Sequence, residues 1–147
     1  MNKLSQVALD VASDQAVSGT VLTAVTELSC PVAANDRCYF NFYIVFQHTL
    51  ITESLKLDIG FPTSPASIVY NIVVPNAVAG ADAAIFSFNR VATGSLLVSA
   101  NTDYMASISG VLINGSNAGI LQPKVSSTAG LGTVTVRAGS SAIMTNL

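Results

Sequence analysis

His48 is the only histidine of the chain, and Glu53 lies five residues beyond it. A general base of this kind needs a nucleophile or a substrate-facing acid within reach. Ser and Thr are so frequent here that one of them near His48 selects nothing, so His48 reads as a structural or loop histidine. The carboxylates Asp10, Asp14, Glu27, Asp36, Glu53, Asp58, Asp82 and Asp103 form no D-x-D or E-x-x-H grouping. A calcium loop needs several oxygens at close fixed spacing, and none is present. Glycoside hydrolysis needs two carboxylates opposed across a cleft, and nothing in the spacing selects a pair. Cys30 and Cys38 with one histidine make a poor zinc ligand set. The Gly-Ser-Asn-Ala-Gly run at 115–119 lacks the lysine and following helix of a phosphate-binding loop and reads as a hairpin turn. The expectation is a protein without catalytic residues, metal or cofactor.

Asn114-Gly115-Ser116 fits a glycosylation acceptor formally. The start MNKLSQVALDVASDQ has no continuous apolar stretch and no cleavage pattern, so it is not read as a signal peptide. The chain is therefore expected to be made in a cytoplasm, with Cys30 and Cys38 as free thiols.

The aromatic residues point elsewhere. Tyr39, Phe40, Phe42, Tyr43 and Phe46 lie in one segment. Exposed aromatics of this density would stack on sugars or bases. With a period of two, however, Phe40, Phe42 and Phe46 fall on one face with Cys38 and Ile44, the face of a core. Tyr39 and Tyr43 fall on the other face and are the candidate interface residues. A thiol on the inner face, such as Cys38, acts as a small hydrophobe.

These residues must be positioned by strands. Residues 38–47 alternate as a half-buried sheet strand, not a helix. Residues 54–61 repeat the pattern, with Leu55, Leu57, Ile59 and Phe61 inward. Further strands are expected at 20–28, 67–74, 83–91, 95–100, 104–113, 118–126, 133–138 and 141–147. The turns between them are 30–36, an Ala/Gly-rich loop at 76–82, Asn114-Gly115, and Gly130-Leu131-Gly132. Eight to ten strands with turns every 8–12 residues predict an all-β antiparallel β-sandwich, jelly-roll-like, over residues 19–147. Residues 1–18 read as an extended N-terminal arm. In it Val7, Leu9 and Val11 alternate and are candidates for adding a strand to a neighbouring subunit.

Charged residues make up 10% of the 147, against about 25% in an ordinary soluble domain. No apolar run approaches the ~20 residues of a membrane helix, so no membrane is expected. The net charge is −2 and the six basic residues are scattered, which argues against nucleic acid. A chain this poor in charge is expected to hide surface against protein partners.

Several phrases resemble virion proteins of tailed bacteriophages. "LSCPVAANDRCYFNFYIVFQ" (28–47) is similar to their turn and aromatic strand, carried here by Val32, Ala33, Ala34, Asn35, Arg37, Tyr39 and Phe40. "LKLDIGFPTSPASIVY" (55–70), "YMASISGVLINGSNAGILQPKVSS" (104–127) and "TVTVRAGSSAIMTNL" (133–147) resemble the blocks that follow, in the same order. The phrases do not extend to 76–82. The resemblance implies an all-β structural module of tail-fibre tips, other tail parts or capsid-decorating (cement) proteins, with no catalytic residues to carry over. A fibre tip normally belongs to a longer chain, so a short domain with an arm suits decoration. The implied partners are copies of itself, as a homotrimer, and the major capsid protein, on the capsid surface. The alternative implied is a receptor- or glycan-binding tip of a tail fibre, or another tail or neck subunit.

Overall fold

A strand with bulky apolar residues at every second position must place them on one side of a pleated sheet. Residues 37–48 do so: Cys38, Phe40, Phe42, Ile44 and Phe46 are buried, and Tyr39 and Tyr43 face outward. The structure, a computed structural model, describes residues 6–78, 81–94 and 97–147, without the side chains of 77, 78, 81–83 and 86. In chain order its strands are β1 (Gln6–Asp10), β2 (Gln15–Ser18), β3 (Thr23–Ala24), β4 (Cys30–Val32), β5 (Arg37–His48), β6 (Leu55–Gly60) and β7 (Ser67–Val78). They continue with β8 (Ala81–Phe88), β9 (Ala92–Thr93), β10 (Tyr104–Ile113), β11 (Gly119–Ser127), β12 (Thr133–Val136) and β13 (Ser141–Asn146).

The strands form an antiparallel sandwich. The larger sheet runs β1-β13-β5-β10-β7-β8, with β12 on the far end of β5 and β2 on β12. The smaller runs β3-β11-β6-β9, with β4 also on β11. One core joins the two, built from Phe42, Ile72, Ile108 and Met144 of the first sheet and Leu57, Leu121 and Val125 of the second. Each of Phe40, Phe42 and Phe46 is almost completely buried. At about 1.5–3 kcal/mol for each such side chain, β5 contributes more to the core than any charge pair could.

Gly110 shows how close the packing is. It pairs with Phe40 on one side and Tyr70 on the other. A Cβ on it would lie 2.5 Å from Phe40 Cζ and 2.5 Å from the Val69 carbonyl oxygen. Gly110→Ala is therefore expected to cost about 1–3 kcal/mol through overpacking. A denaturant titration tests this, and an unchanged midpoint would show that the strand yields freely.

The structure corrects several sequence expectations. The stretch 20–28 contains only the two residues of β3 and a single 3-10 turn, Thr26–Leu28, which buries Leu28. Cys30, placed in a turn, begins β4. Of the loop expected at 76–82, residues 76–78 and 81–82 continue β7 and β8, which pair as far as Val78 and Ala81, and 79–80 lie outside the described residues. Pro75 does not stop β7 because pairing to β10 ends at Val73; beyond it one side of the strand needs no donor. Residues 97–100 are not a strand, and 95–96 lie outside the described residues. Phe61 follows the end of β6 and is 39% exposed, not inward.

The N-terminal segment also differs from an extended arm over its described part. β1 pairs with β13, and β2 with β12, all within this chain. Val11 is buried, and Val7 and Leu9 pack on the chain's own core. Within this chain the strand expected to add to a neighbour instead pairs in cis, where Val7 and Leu9 lie along the edge of β13. Residues 1–5 of the expected arm lie outside the described residues.

Candidate functional site

Two places bring functional side chains together: a buried polar cluster at one end of β5 and the outer face of the larger sheet. The first is set by the period of β5. Counting in twos from Cys38 reaches His48, which is fully buried. Its Nε2 lies 3.0 Å from Ser127 Oγ, and Ser127 donates to Glu53 Oε2. Glu53 also accepts from the N–H of Leu131 at 3.1 Å and of Gly132 at 3.5 Å. His48 Nδ1 lies 3.0 Å from both the Leu50 N–H, which can donate to it, and the Leu50 carbonyl oxygen, which would accept from a protonated ring. Since the Ser127 hydroxyl hydrogen goes to Glu53, the histidine must carry its proton on Nε2 and donate to Ser127 Oγ.

Electrostatics agree with this arrangement. Burial pushes His48 below its ordinary value, more than the Leu50 backbone and the Glu53 charge raise it, so the ring is neutral at pH 7. Burial alone would raise Glu53, but Ser127, Gly132, Leu131 and His48 together hold it below the usual carboxylate value. His48 and Glu53 approach to 3.6 Å without forming an ion pair of two charges.

Serine, histidine and glutamate invite comparison with a hydrolase, but the order is wrong. In a triad the carboxylate orients the histidine and the histidine alone takes the serine proton. Here the serine stands between the two and its proton is committed to Glu53. All three are buried. The cluster ties the end of β5, the segment before β6, the end of β11 and the 130–132 turn together. Sequence reading noted His48 and Glu53 but not Ser127, which lies 79 residues from His48. Carrying the period of two one step past Phe46 would have placed His48 inside.

The remaining candidates do not converge. Both cysteines are free and buried. Burial pushes Cys30 to about 11; burial first, with Asp36 and Cys30 adding, does the same to Cys38. Neither is a ready nucleophile at neutral pH. Among the described residues no three His, Cys, Asp or Glu side chains gather as a metal site. Asp14 holds Arg137 and the Ala138 N–H at the surface.

The second place is the outer face. Cross-strand register sets its side chains in rows. One row runs Thr145, Tyr39, Val111, Val69. The next runs Ala8, Ile143, Asn41, Ser109, Asn71, Phe88. The third runs Asp10, Ser141, Tyr43, Ser107, Val73. Of these rows only Asp10, at the outer edge, is charged. Tyr39 is 51% exposed and Phe88 65%. Between them lies an open depression of about 440 Å³, lined also by Asn41, Val69, Asn71 and Val111. Tyr39 and Tyr43 are thus on the outward face, whereas Val7, Leu9 and Val11 turn toward the core. Sequence reading missed Val69, Phe88 and Val111, which reach Tyr39 only through long-range pairing.

A two-sheet sandwich whose outer face carries uncharged central rows is the architecture to compare with known folds. The fold is shared with a solved virus structure. A chain of the infectious bursal disease virus Gx strain structure matches 99% of this chain with a TM-score of 0.54 and 14% identity. This chain spans 32% of that chain's length. A chain of the Gt strain structure, at TM-score 0.36 and 14% identity, matches 99% of this chain and 42% of its own length. A mutant VP2 protein of the same virus in derived T=1 particles, at 0.37 and 13%, matches 99% of this chain and 39% of its own. Only the first of these bears on the fold. No family model and no curated protein matches this chain.

Proposed function

We propose that this chain is a structural subunit of a virus particle, a capsid decoration (cement) protein that binds the outside of a tailed-phage head as a homotrimer. Its partners are copies of itself and the major capsid protein. The observation that carries this reading is the outer face of the larger sheet: among the described residues its three central rows hold aromatic, apolar and uncharged polar side chains with one charge, Asp10, at the edge, and Arg37 lies beyond them at the start of β5. An exposed face of this kind marks a protein contact. The fold shared with a chain of a virus structure supports a particle component, and the phrases resembling phage virion proteins support the kind of particle. No step of chemistry is required of the chain; its work is burial of surface between neighbours.

A tail-fibre tip is the second reading, favoured by the depression between Tyr39 and Phe88, where Asn41 and Asn71 would meet sugar hydroxyls. The two readings part on salt. A mostly apolar contact with the head holds in about 1 M salt, where charges are screened beyond ~3 Å. Purified virions washed in this way are expected to retain the protein on their heads. Its release at moderate salt would mean that charge pairs hold it, against a cement protein held by mostly apolar contacts.

A further inference from the structure

We infer that the outer face of the larger sheet is covered, in the assembled state, by the same face of a second copy of this chain, a two-fold contact made in addition to those that would build a trimer. The inference rests on the reading of the protein as an assembling subunit and names the partner of that face.

The argument is chemical. In a symmetric contact a patch meets itself, so residues near the axis face their own copies. A charged group there meets a like charge, whereas apolar, hydroxyl and amide groups do not conflict. The central rows hold only such groups: Val69, Val111 and Ile143 are apolar, Ser107 and Ser109 carry hydroxyls, and Asn41 and Asn71 carry amides. An amide or hydroxyl both donates and accepts, so it can pair with its own copy. Among the described residues none hydrogen-bonds the side chains of Asn41, Ser109 or Asn71. Their bonding capacity is left for something outside the chain, and they stand side by side in one row.

Size agrees. Six strands at about 4.8 Å and three rows at about 7 Å give a face of roughly 29 by 20 Å. The side chains standing out of it raise its accessible area above that projection, toward the ~800 Å² per partner of a standard interface. Two such faces stack as sheets do in a sandwich, about 10 Å apart, with Tyr39 and Phe88 filling the depression of the opposing copy.

The test uses the full chain and measures mass in solution by sedimentation over a dilution series. Wild type is expected to sediment as more than one chain. Ser109→Glu puts like charges in the contact without touching the core, since Ser109 is exposed. It is expected to weaken association more than about tenfold, which a 1.4 kcal/mol repulsion suffices to do. Its circular dichroism and melting should remain those of a folded chain. Ser116→Glu, at an exposed position of the 114–118 turn, should leave the mass unchanged. Mixing Ser109→Glu with Ser109→Lys should restore association, because only a face that meets itself brings the two together. A wild type that stays a single chain, including one that binds neutral glycans through the depression, overturns the inference. So does a Ser109→Glu variant that assembles normally, or a mixture that fails to recover. Failure of the face contact leaves the virion reading standing; an assembling chain absent from virions sinks that reading and leaves the face contact intact.

Discussion

Glu53→Ala is expected to lower the unfolding free energy by about 3–5 kcal/mol, the cost of breaking a buried hydrogen-bonded charge cluster. The side chain is 2% exposed and accepts from Ser127, Leu131 and Gly132. Removing it leaves those donors buried or aimed at a void, and each unsatisfied donor costs about 1–3 kcal/mol. The Ser127 hydroxyl would lose its acceptor and the 130–132 turn its anchor. Asp103→Ala is the comparison. Asp103 meets Arg137 at 3.3 Å but is 54% exposed, so its loss should cost under about 1 kcal/mol. Guanidinium titrations of the two variants at neutral pH check this. Equal midpoints would mean that the cluster is not what fastens this end of the sandwich.

Acid should destabilise the protein in two steps, beginning close to neutrality. His48 has a folded value below its ordinary 6.5. As pH falls through about 6.5, the unfolded chain takes up a proton that the folded chain refuses, and stability is lost until the folded value is reached. Glu53 is also depressed, below 4.5. Its contribution is complete above the ordinary carboxylate value and is lost as pH falls through the folded one. Both groups act with the same sign, and each can give a slope of up to about 1.4 kcal/mol per pH unit. No loss from this cluster is expected between pH 7 and 8. Melting measured from pH 8 to 4 should fall first between 7 and 5, and His48→Gln should remove that first step while leaving the second. A first step that persists in His48→Gln would assign it to another group.

What could be read from the chain and what could not divides along one physical line. Local pattern carried the strands: the alternation from Cys38 to Phe46 located β5 and its buried face, and the stretch 104–113 located β10 to the residue. The same alternation placed Tyr39 and Tyr43 opposite the core. Pairing between distant segments was not legible. Nothing local says that β1 closes on β13 in the same chain, so Val7, Leu9 and Val11 read as available when they pack inward. For the same reason Ser127 was not seen beside His48, nor Val69 and Phe88 beside Tyr39. Small residues misled as well. Ala77 and Ala81 have low strand propensity, yet β7 and β8 include them because each strand supplies the other's hydrogen bonds.

The particle itself decides between these roles. On the proposed cement role, cryo-electron microscopy of tailed-phage virions assembled with this chain should show its sandwich in many copies over the outside of the head, with the outer faces of the larger sheets turned toward one another. A few copies confined to the tail tip, or no density for it on the particle, would contradict a cement role.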